Sequence, residues 1–401
     1  MGQGGRWYGI RGKTVLITGP ARGIGAETAR QLAAKGANLA PAGLEPERLA
    51  ALADRLGPNA AWFEADVRQA DQLEKAVAGA VERFGGIEVV VANAGPGATD
   101  RRGRGAADGR VRAHPVMAAP QGRLNASMDS NGRTVLTTGA NSGIGLATTI
   151  ELAKRGFRSV GSVRSGAKAR QVRKAARQAG VEVETILLDV TDAAACRRVM
   201  QRVKPWGLVN NAGSSFSGAI EDVGDAEARA ALETMVIAPM RLARLGIPLM
   251  RAAGEGRIVN ISSIYGRTTT PLTGWYQGAK HAVEGLSDAL RMEVASDGIK
   301  VILIEPGSID TGIWDSAGQE LETRDRSRYA AAYRRTQQGI DLTRRFMAGP
   351  GKVAKVVARS LTVRSPRSRY LVGYDAELAA RVTAVMPDAV KDQILRRTLG
   401  L

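Results

Sequence analysis

The chain contains the same beginning twice. KTVLITGPARGIGAETARQLAAKGANLA, from Lys13, aligns with RTVLTTGANSGIGLATTIELAKRGFRSV, from Arg133. Each reads as an apolar, β-branched strand, a glycine-rich turn and a helix ending at Gly36 or Gly156. The likeness continues: AAWFEADVRQ (60–69) matches VETILLDVTD (183–192), and IEVVVANAG (87–95) matches WGLVNNAG (206–213). Each copy therefore runs strand–helix three times into a fourth strand. That alternation predicts an α/β fold, a doubly wound parallel sheet with helices on both faces, preceded by a partial repeat of itself.

Only the second copy goes on. GRIVNISS (256–263) and IKVILIEPG (299–307) are two further buried strands with a long helical stretch between them. Three segments follow: a truncated four-strand half over 1–96, a linker over 97–130, and a complete domain over 131–401. The linker holds Arg101, Arg102 and Arg104 among glycines and alanines, plus Pro115 and Pro120. It cannot bury enough apolar area to offset chain entropy, which predicts disorder. VVVANA reads as a central strand, so truncation leaves one of its edges open. The first copy is then either docked against the second or the least stable part of the chain.

The net charge of +18 is uneven. Residues 1–96 are close to neutral, and the surplus lies in the linker and beyond Gly132, especially from Arg324 onward. No aromatic residues interleave with the arginines of the linker as a stacking platform would require, and no zinc-finger or helix-turn-helix spacing is present, so nucleic acid is not expected as a partner. The surplus suits an arginine-rich solvated surface, and it is compatible with peripheral association with an anionic membrane. No apolar run reaches 18 residues, so no membrane-spanning helix is expected. No metal-ligand spacing stands out. The single cysteine, Cys196, forbids an internal disulfide and fits a reducing, cytoplasmic setting.

The chemistry sits in the second copy. In TGANSGIG, Gly139 allows the turn off the strand, Gly143 lets backbone approach a pyrophosphate, and Gly145 permits close helix–strand packing. Asn141, Ser142 and Ile144 complete the loop, and the helix N-terminus behind it faces the anion. A glycine loop between a strand and a helix predicts a Rossmann-like dinucleotide site. Arg164 stands after the second strand, where an acidic residue would take a free ribose 2′-hydroxyl; an arginine suits a 2′-phosphate. NADP is therefore favoured, with NAD as the alternative. Asp189 and Val190 end the third strand near the adenine position, and Asn211, Ala212 and Gly213 end the fourth with residues small enough for cofactor to pack on backbone.

Tyr276 and Lys280 are four apart, and Val283, Leu286, Leu290 and Val294 continue a helical period, so both share a helix face. Ser263 ends a strand at the carboxyl edge of the sheet, where ligands bind in such folds. Deprotonating a free tyrosine at pH 7 costs about 4 kcal/mol, which a neighbouring ammonium and a positive nicotinamide ring would lower. Tyr276 can then exchange a proton with a substrate oxygen while the cofactor exchanges a hydride with its carbon, and Ser263 can hydrogen-bond the same oxygen.

With TGxxxGxG at 138–145, NNAG at 210–213, Ser263, YxxxK at 276–280 and PG-x-x-x-T from Pro306 to Thr311, the sequence resembles a short-chain dehydrogenase/reductase. The likeness covers essentially 133–315, and the first copy resembles the cofactor half of the same family. It implies an NAD(P)-dependent oxidoreductase that interconverts an alcohol and a ketone or aldehyde, with Ser263, Tyr276 and Lys280 catalytic. It also implies Lys280 on the ribose, Pro306, Gly307, Ile309 and Thr311 near the carboxamide, and a homo-oligomer. Residues 312–350 are the expected lid, with Tyr329 and Tyr333 able either to meet an apolar substrate or to pack as an ordinary helix. PRSRYLVGYDAELAARVTAVMPD resembles the extension of steroid- and retinoid-type members, implying a bulky hydrophobic alcohol or ketone.

Three positions depart from the family. Met235 stands where an asparagine usually holds a water of the proton relay, with Thr234 adjacent; Ala279 replaces a common serine; and Pro41 sits late in the second strand of the first copy, where it disfavours central pairing. The loss at 235 keeps a second possibility open, a nucleotide-binding sensor or scaffold with little turnover.

Overall fold

The computed structural model describes residues 9–94, 132–214 and 216–401; the segment expected as a linker, 97–130, lies outside the described residues. The chain divides into two compact units, one on each side of residues 116 and 117. The first unit alternates β1 (Thr14–Thr18), α1 (Gly23–Ala34), β2 (Asn38–Gly43), α2 (Pro46–Leu56), β3 (Phe63–Glu64), α3 (Ala70–Phe84) and β4 (Val89–Val91). Its parallel sheet has the order β3-β2-β1-β4. Period-two alternation divides β1 between two helix layers: Val15 and Ile17 face a core with Ala29 and Leu52, while Leu16 joins Ala76 and Ala80 of α3.

Pro41 does not prevent central pairing: β2 pairs with β1 along its length, Ile17 opposite Pro41. In a parallel ladder a residue turns its N–H and C=O to the same neighbour. Leu39 exchanges both bonds with residues 59 and 61, so Pro41, two residues on, presents its missing donor to the short β3 side. The contacts with β1 are made by Ala40 and Ala42 and are unaffected.

The second unit begins with the same order: β5 (Thr134–Thr137), α4 (Gly143–Lys154), β6 (Arg158–Val163), α5 (Gly166–Gln178), β7 (Glu184–Leu187), α6 (Ala193–Val203) and β8 (Gly207–Asn210). It continues through α7 (Asp225–Leu232), a π-helical turn (Glu233–Ile237), α8 (Ala238–Ala252), β9 (Gly256–Ile261), α9 (Gly274–Glu293) and β10 (Ile299–Pro306). Then come α10 (Ile313–Glu322), α11 (Ala330–Arg344), α12 (Pro350–Thr362), β11 (Arg369–Val372), α13 (Tyr374–Val385) and α14 (Asp388–Leu399). The parallel sheet has the order β11-β10-β9-β8-β5-β6-β7. Its last edge strand, RYLV, pairs with Leu303–Pro306 of β10. The sequence analysis assigns no strand there: four residues that begin with an arginine, three half-buried and Val372 buried, carry no strand period.

One face of this sheet packs Val135, Val209, Val259 and Ile302 against α4 and α12. The other packs Leu136, Leu208, Ile258 and Val301 against α6, α8 and α9. Burial here and the open edge of the first unit differ in one respect that decides stability. All four residues of β8 are buried between β5 and β9. In β4, by contrast, Val90 is 62% exposed, and β4 pairs with β1 on one side among the described residues. Exposed apolar edge strands open readily. Amide exchange is therefore expected to be slowest in β5, β8, β9 and β10 and faster in β1 and β4. Equal protection in both units, measured by hydrogen exchange, would contradict this.

Candidate active site

The strand ends of the second unit are stitched together by one residue pair. Thr138, directly after β5, accepts on its Oγ1 the backbone N–H groups of Asn211 (3.0 Å) and Ala212 (2.9 Å). Asn211 Nδ2 donates back to the carbonyls of Thr138 (2.9 Å) and Gly139 (3.2 Å). Gly139 and Gly143 have φ of +65° and +52°, a region that favours glycine. A Cβ on Gly145 would lie 2.2 Å from the Gly139 carbonyl oxygen, so α4 meets the turn backbone to backbone. Asn141 and Ser142 bond to each other on the rim, Ile144 is half-buried, and Ser142 provides no side-chain cap to α4. Asp192, in contrast, caps α6 through Ala194 and Ala195. The first N–H groups of α4 are thus left for a partner in the cleft, and Thr311 closes that end, its Cγ2 3.1 Å from where a Cβ on Gly143 would stand.

The remaining loops line the same carboxyl edge. Arg164 is exposed just beyond β6. Asp189 and Val190 follow β7, which ends at Leu187, rather than closing the strand; Asp189 holds the Thr191 N–H and hydroxyl, and these bonds keep its carboxyl below the usual range. Val190 is buried. Pro306 ends β10, and Gly307 abuts Asp375 so closely that a Cβ would lie 2.3 Å from Asp375 Oδ1. Asp375 accepts the Ser308 N–H at 2.6 Å, and Ile309 is buried with its carbonyl bonded to Trp314 Nε1 at 2.7 Å. Glycine turns that only backbone can approach, free helix N–H donors and a nearby guanidinium are what a dinucleotide's phosphates require, so the chain's residues fit such a group.

Tyr276 and Lys280 lie on α9 facing this edge. Ser263 follows β9 by two residues, caps a short 3-10 turn through the Tyr265 N–H, and hydrogen-bonds the Tyr276 phenol. Lys280 is buried, donates to the Ile261 carbonyl at 2.9 Å, and has its Nζ 5.5 Å from the Tyr276 ring centre. Behind them a buried chain holds α9 on the sheet: Asn210 Nδ2 donates to Asn260 Oδ1 and Asn260 Nδ2 to Ser287 Oγ, both at 2.8 Å. Burial dominates the electrostatics. It pushes the Tyr276 phenol up to about 12 and Lys280 down to about 8. The Ser263 hydrogen bond, not the ammonium, is what works against burial at the phenol in the protein alone.

A model of the short chain dehydrogenase family matches residues 13–108 and 133–322. The chain belongs to the short chain dehydrogenases. It is an oxidoreductase acting on CH–OH groups with a nicotinamide cofactor, and the double match fits its duplicated arrangement. A 3-ketodihydrosphingosine reductase from Bacteroides thetaiotaomicron is 30% identical, covering 65% of this chain and 96% of that protein. Retinol dehydrogenase 16 from Mus musculus is 31% identical, covering 65% and 87%. Among solved structures, the actinorhodin polyketide ketoreductase with NADPH is 28% identical with a TM-score of 0.51, covering 62% and 97%.

Of the residues singled out in the sequence, the glycine turn stands against Asn211, Ala212 and Thr311, and Ser263, Tyr276 and Lys280 stand together, while Arg164, Asp189 and Val190 follow neighbouring strands. Met235 is buried in the π-helical turn, packed in the same apolar cluster as Tyr276, with its Cγ 3.7 Å from the Cβ position of Gly213. Tyr333 turns inward: it is 2% exposed, its hydroxyl donates to the Asp222 carboxylate and accepts the Ala219 N–H at 2.7 Å, so it packs rather than meeting substrate. Tyr329 lies just ahead of α11. Residues the sequence did not flag include Asp375, Asn260 and Ser287; the one local signal was a lone asparagine in the apolar run GRIVNI. Among the described residues no helix is long and apolar enough to cross a membrane, and no cluster has the residues to hold a metal ion.

The two buried groups give stability a pH dependence of definite sign. Lys280 titrates at about 8 when folded against the usual 10.5. Between these values the unfolded chain holds a proton the folded one does not, so this contribution grows as pH rises from 8 and is lost as pH falls through 8. Tyr276 acts oppositely: its contribution is full below pH 10 and lost as pH rises toward 12. Urea melts of wild type and Lys280→Met, compared from pH 7 to 10, are expected to show the wild type gaining on the order of 1–3 kcal/mol. A constant difference would contradict the assignment.

Proposed function

We propose that the protein is an NADP(H)-dependent reductase of ketones on bulky hydrophobic molecules, running in reverse as an alcohol dehydrogenase. The observation that carries this is the convergence of Ser263, Tyr276 and Lys280 at the glycine-turn cleft. When bound, the nicotinamide supplies or accepts the hydride. Ser263 and Tyr276 then bind the substrate oxygen. The phenol, kept neutral by burial, donates its proton as the oxygen gains charge, and the Lys280 ammonium stabilises the phenolate left behind. Gly139, Asn141, Ser142, Gly143, Ile144 and Gly145 would hold the pyrophosphate side, Asp189 and Val190 the adenine, and Asn211, Ala212 and Gly213 the nicotinamide ribose with Tyr276 and Lys280. Pro306, Gly307, Ile309 and Thr311 would hold the carboxamide.

Two features support the finer choices. Arg164, Ser165 and Gly166 follow β6 with no carboxylate among them, which favours a 2′-phosphate. The related ketoreductase has NADPH. For substrate, Phe216, Met235 and Trp275 form an apolar cluster around Tyr276, and Ile220 nearby is 62% exposed. The relatives named for retinol and 3-ketodihydrosphingosine act on long apolar molecules. The alternative, nucleotide binding with little turnover, draws on Met235, which leaves the relay without its usual polar side chain. The first unit, the linker and the second unit keep the boundaries 1–96, 97–130 and 131–401 in this proposal, with the lid over 312–350 carried by α10 and α11.

Oxidation of NADPH followed by absorbance with a panel of long-chain ketones separates the two. Tyr276→Phe is expected to lower kcat about 10²- to 10⁴-fold while leaving NADPH binding within a few-fold. Binding without turnover in the wild type would favour the alternative. Arg164→Glu is expected to weaken NADPH binding at least tenfold relative to NADH; an unchanged ratio would remove Arg164 from the site.

A further inference from the structure

Helix α9 carries a further polar group in line with Tyr276 and Lys280. Tyr276, Lys280 and Glu284 are each one turn apart, and Glu284 is 7% exposed. Its two oxygens have different surroundings. Oε2 accepts from Arg369 Nε of β11 at 3.0 Å. Oε1 is buried with no hydrogen-bond partner. A Cβ on Gly266 would lie 3.3 Å from Oε1 and 2.9 Å from Ser262 Oγ, a second buried oxygen without a partner, so both gather just behind the Ser263 turn. Leaving a carboxylate oxygen unpaired in such a place costs stability, and a helix interior position would hold a leucine at less expense.

The ion pairs around Glu284 account for every other charge there. Glu305 of β10, fully buried, is held by Arg267 at 2.9 Å and by Arg369 at 3.2 Å. Burial, and after it the neighbouring Glu284, push the Glu305 carboxyl above its usual range. Asp288, the next turn of α9, takes Arg369 and Arg291. Toward the cleft, Lys280 is faced by Tyr276, with Tyr265 edge-on to that ring at 6.3 Å. Lys280 therefore has one nearby carboxylate, Glu284, whose charge acts on it and favours its ammonium form against burial.

We propose that Glu284 is a positioning residue for Lys280: it stands one turn behind the lysine on α9, a buried carboxylate held by Arg369 through one oxygen and without a partner on the other. The inference rests on the proposed role of Tyr276 and Lys280 in proton handling. It assigns a function to a buried, half-satisfied carboxylate. It also links the seventh strand to the chemistry, because Arg369 fixes the rotamer of Glu284 through Oε2 and leaves Oε1 free.

The test has one readout apart from turnover. In selectively labelled protein without cofactor, the Lys280 Nζ titration is followed by NMR in wild type, Glu284→Gln and Glu284→Asp. The Gln variant is expected to titrate about one pH unit lower, and the Asp variant close to wild type. Glu284→Met serves as the neutral variant if Gln does not fold. The alkaline limb of kcat for ketone reduction is expected to move down by the same amount, with kcat at its plateau nearly unchanged. An unmoved Lys280 titration in the neutral variant overturns the inference. If that happens while Tyr276→Phe abolishes turnover, the role of Tyr276 stands and that of Glu284 falls. Full turnover by Tyr276→Phe overturns the reading on which both depend.

Discussion

The cleft depends on one reciprocal set of hydrogen bonds, between the residue that leaves the first strand and the asparagine that leaves the fourth. Four bonds hold Thr138 and Gly139 to residues 211 and 212 and fix how far apart two neighbouring strand ends stand. Glycine turns alone would be floppy; the stitch makes them a surface. The first unit repeats it: Asn93 Nδ2 donates to the carbonyls of Thr18 (3.2 Å) and Gly19 (3.0 Å), and Thr18 Oγ1 accepts from the N–H groups of residues 93 and 94. The two units thus share a turn geometry, although among the described residues the first has no counterpart of β9, Ser263 or Tyr276.

On the other side of the cleft, the energetic theme is burial of charge. A phenol and an amine placed together in water would share a proton according to their ordinary affinities. In the described site desolvation moves both toward neutrality, upward for Tyr276 and downward for Lys280. The protein must therefore supply negative potential near the lysine if its charge is to persist. The polar chain from Asn210 through Asn260 to Ser287 serves a different purpose, anchoring α9 so that these groups keep their distances to the sheet.

Much of this was legible in the sequence because it is local. The glycine spacing and the YxxxK period are each read within a short stretch, the repeat by comparing two segments, and a parallel sheet with helices on both faces follows from alternation of strand and helix. What escaped is tertiary. Arg369 and Glu284 are 85 residues apart, and neither carries a local signal for the other. Strand β11 is too short and too charged at its flanks to show a period. Asp375 pins the loop after β10 from the far end of the chain. Pro41 was read as a barrier to pairing, yet parity along a parallel strand put its missing donor where little pairing was lost. Tyr333, open to two readings, was settled by the acceptor at Asp222.

Arg369 also changes how the end of the chain is to be regarded. It spans Glu284, Asp288 and Glu305, so three carboxylates on two different elements share one guanidinium. Cutting the polypeptide ahead of it would not trim an appendage. It would strip one of two counter-ions from a fully enclosed glutamate and leave Arg267 alone to hold it, and repulsion released at that point would be felt one helical turn from the reacting groups.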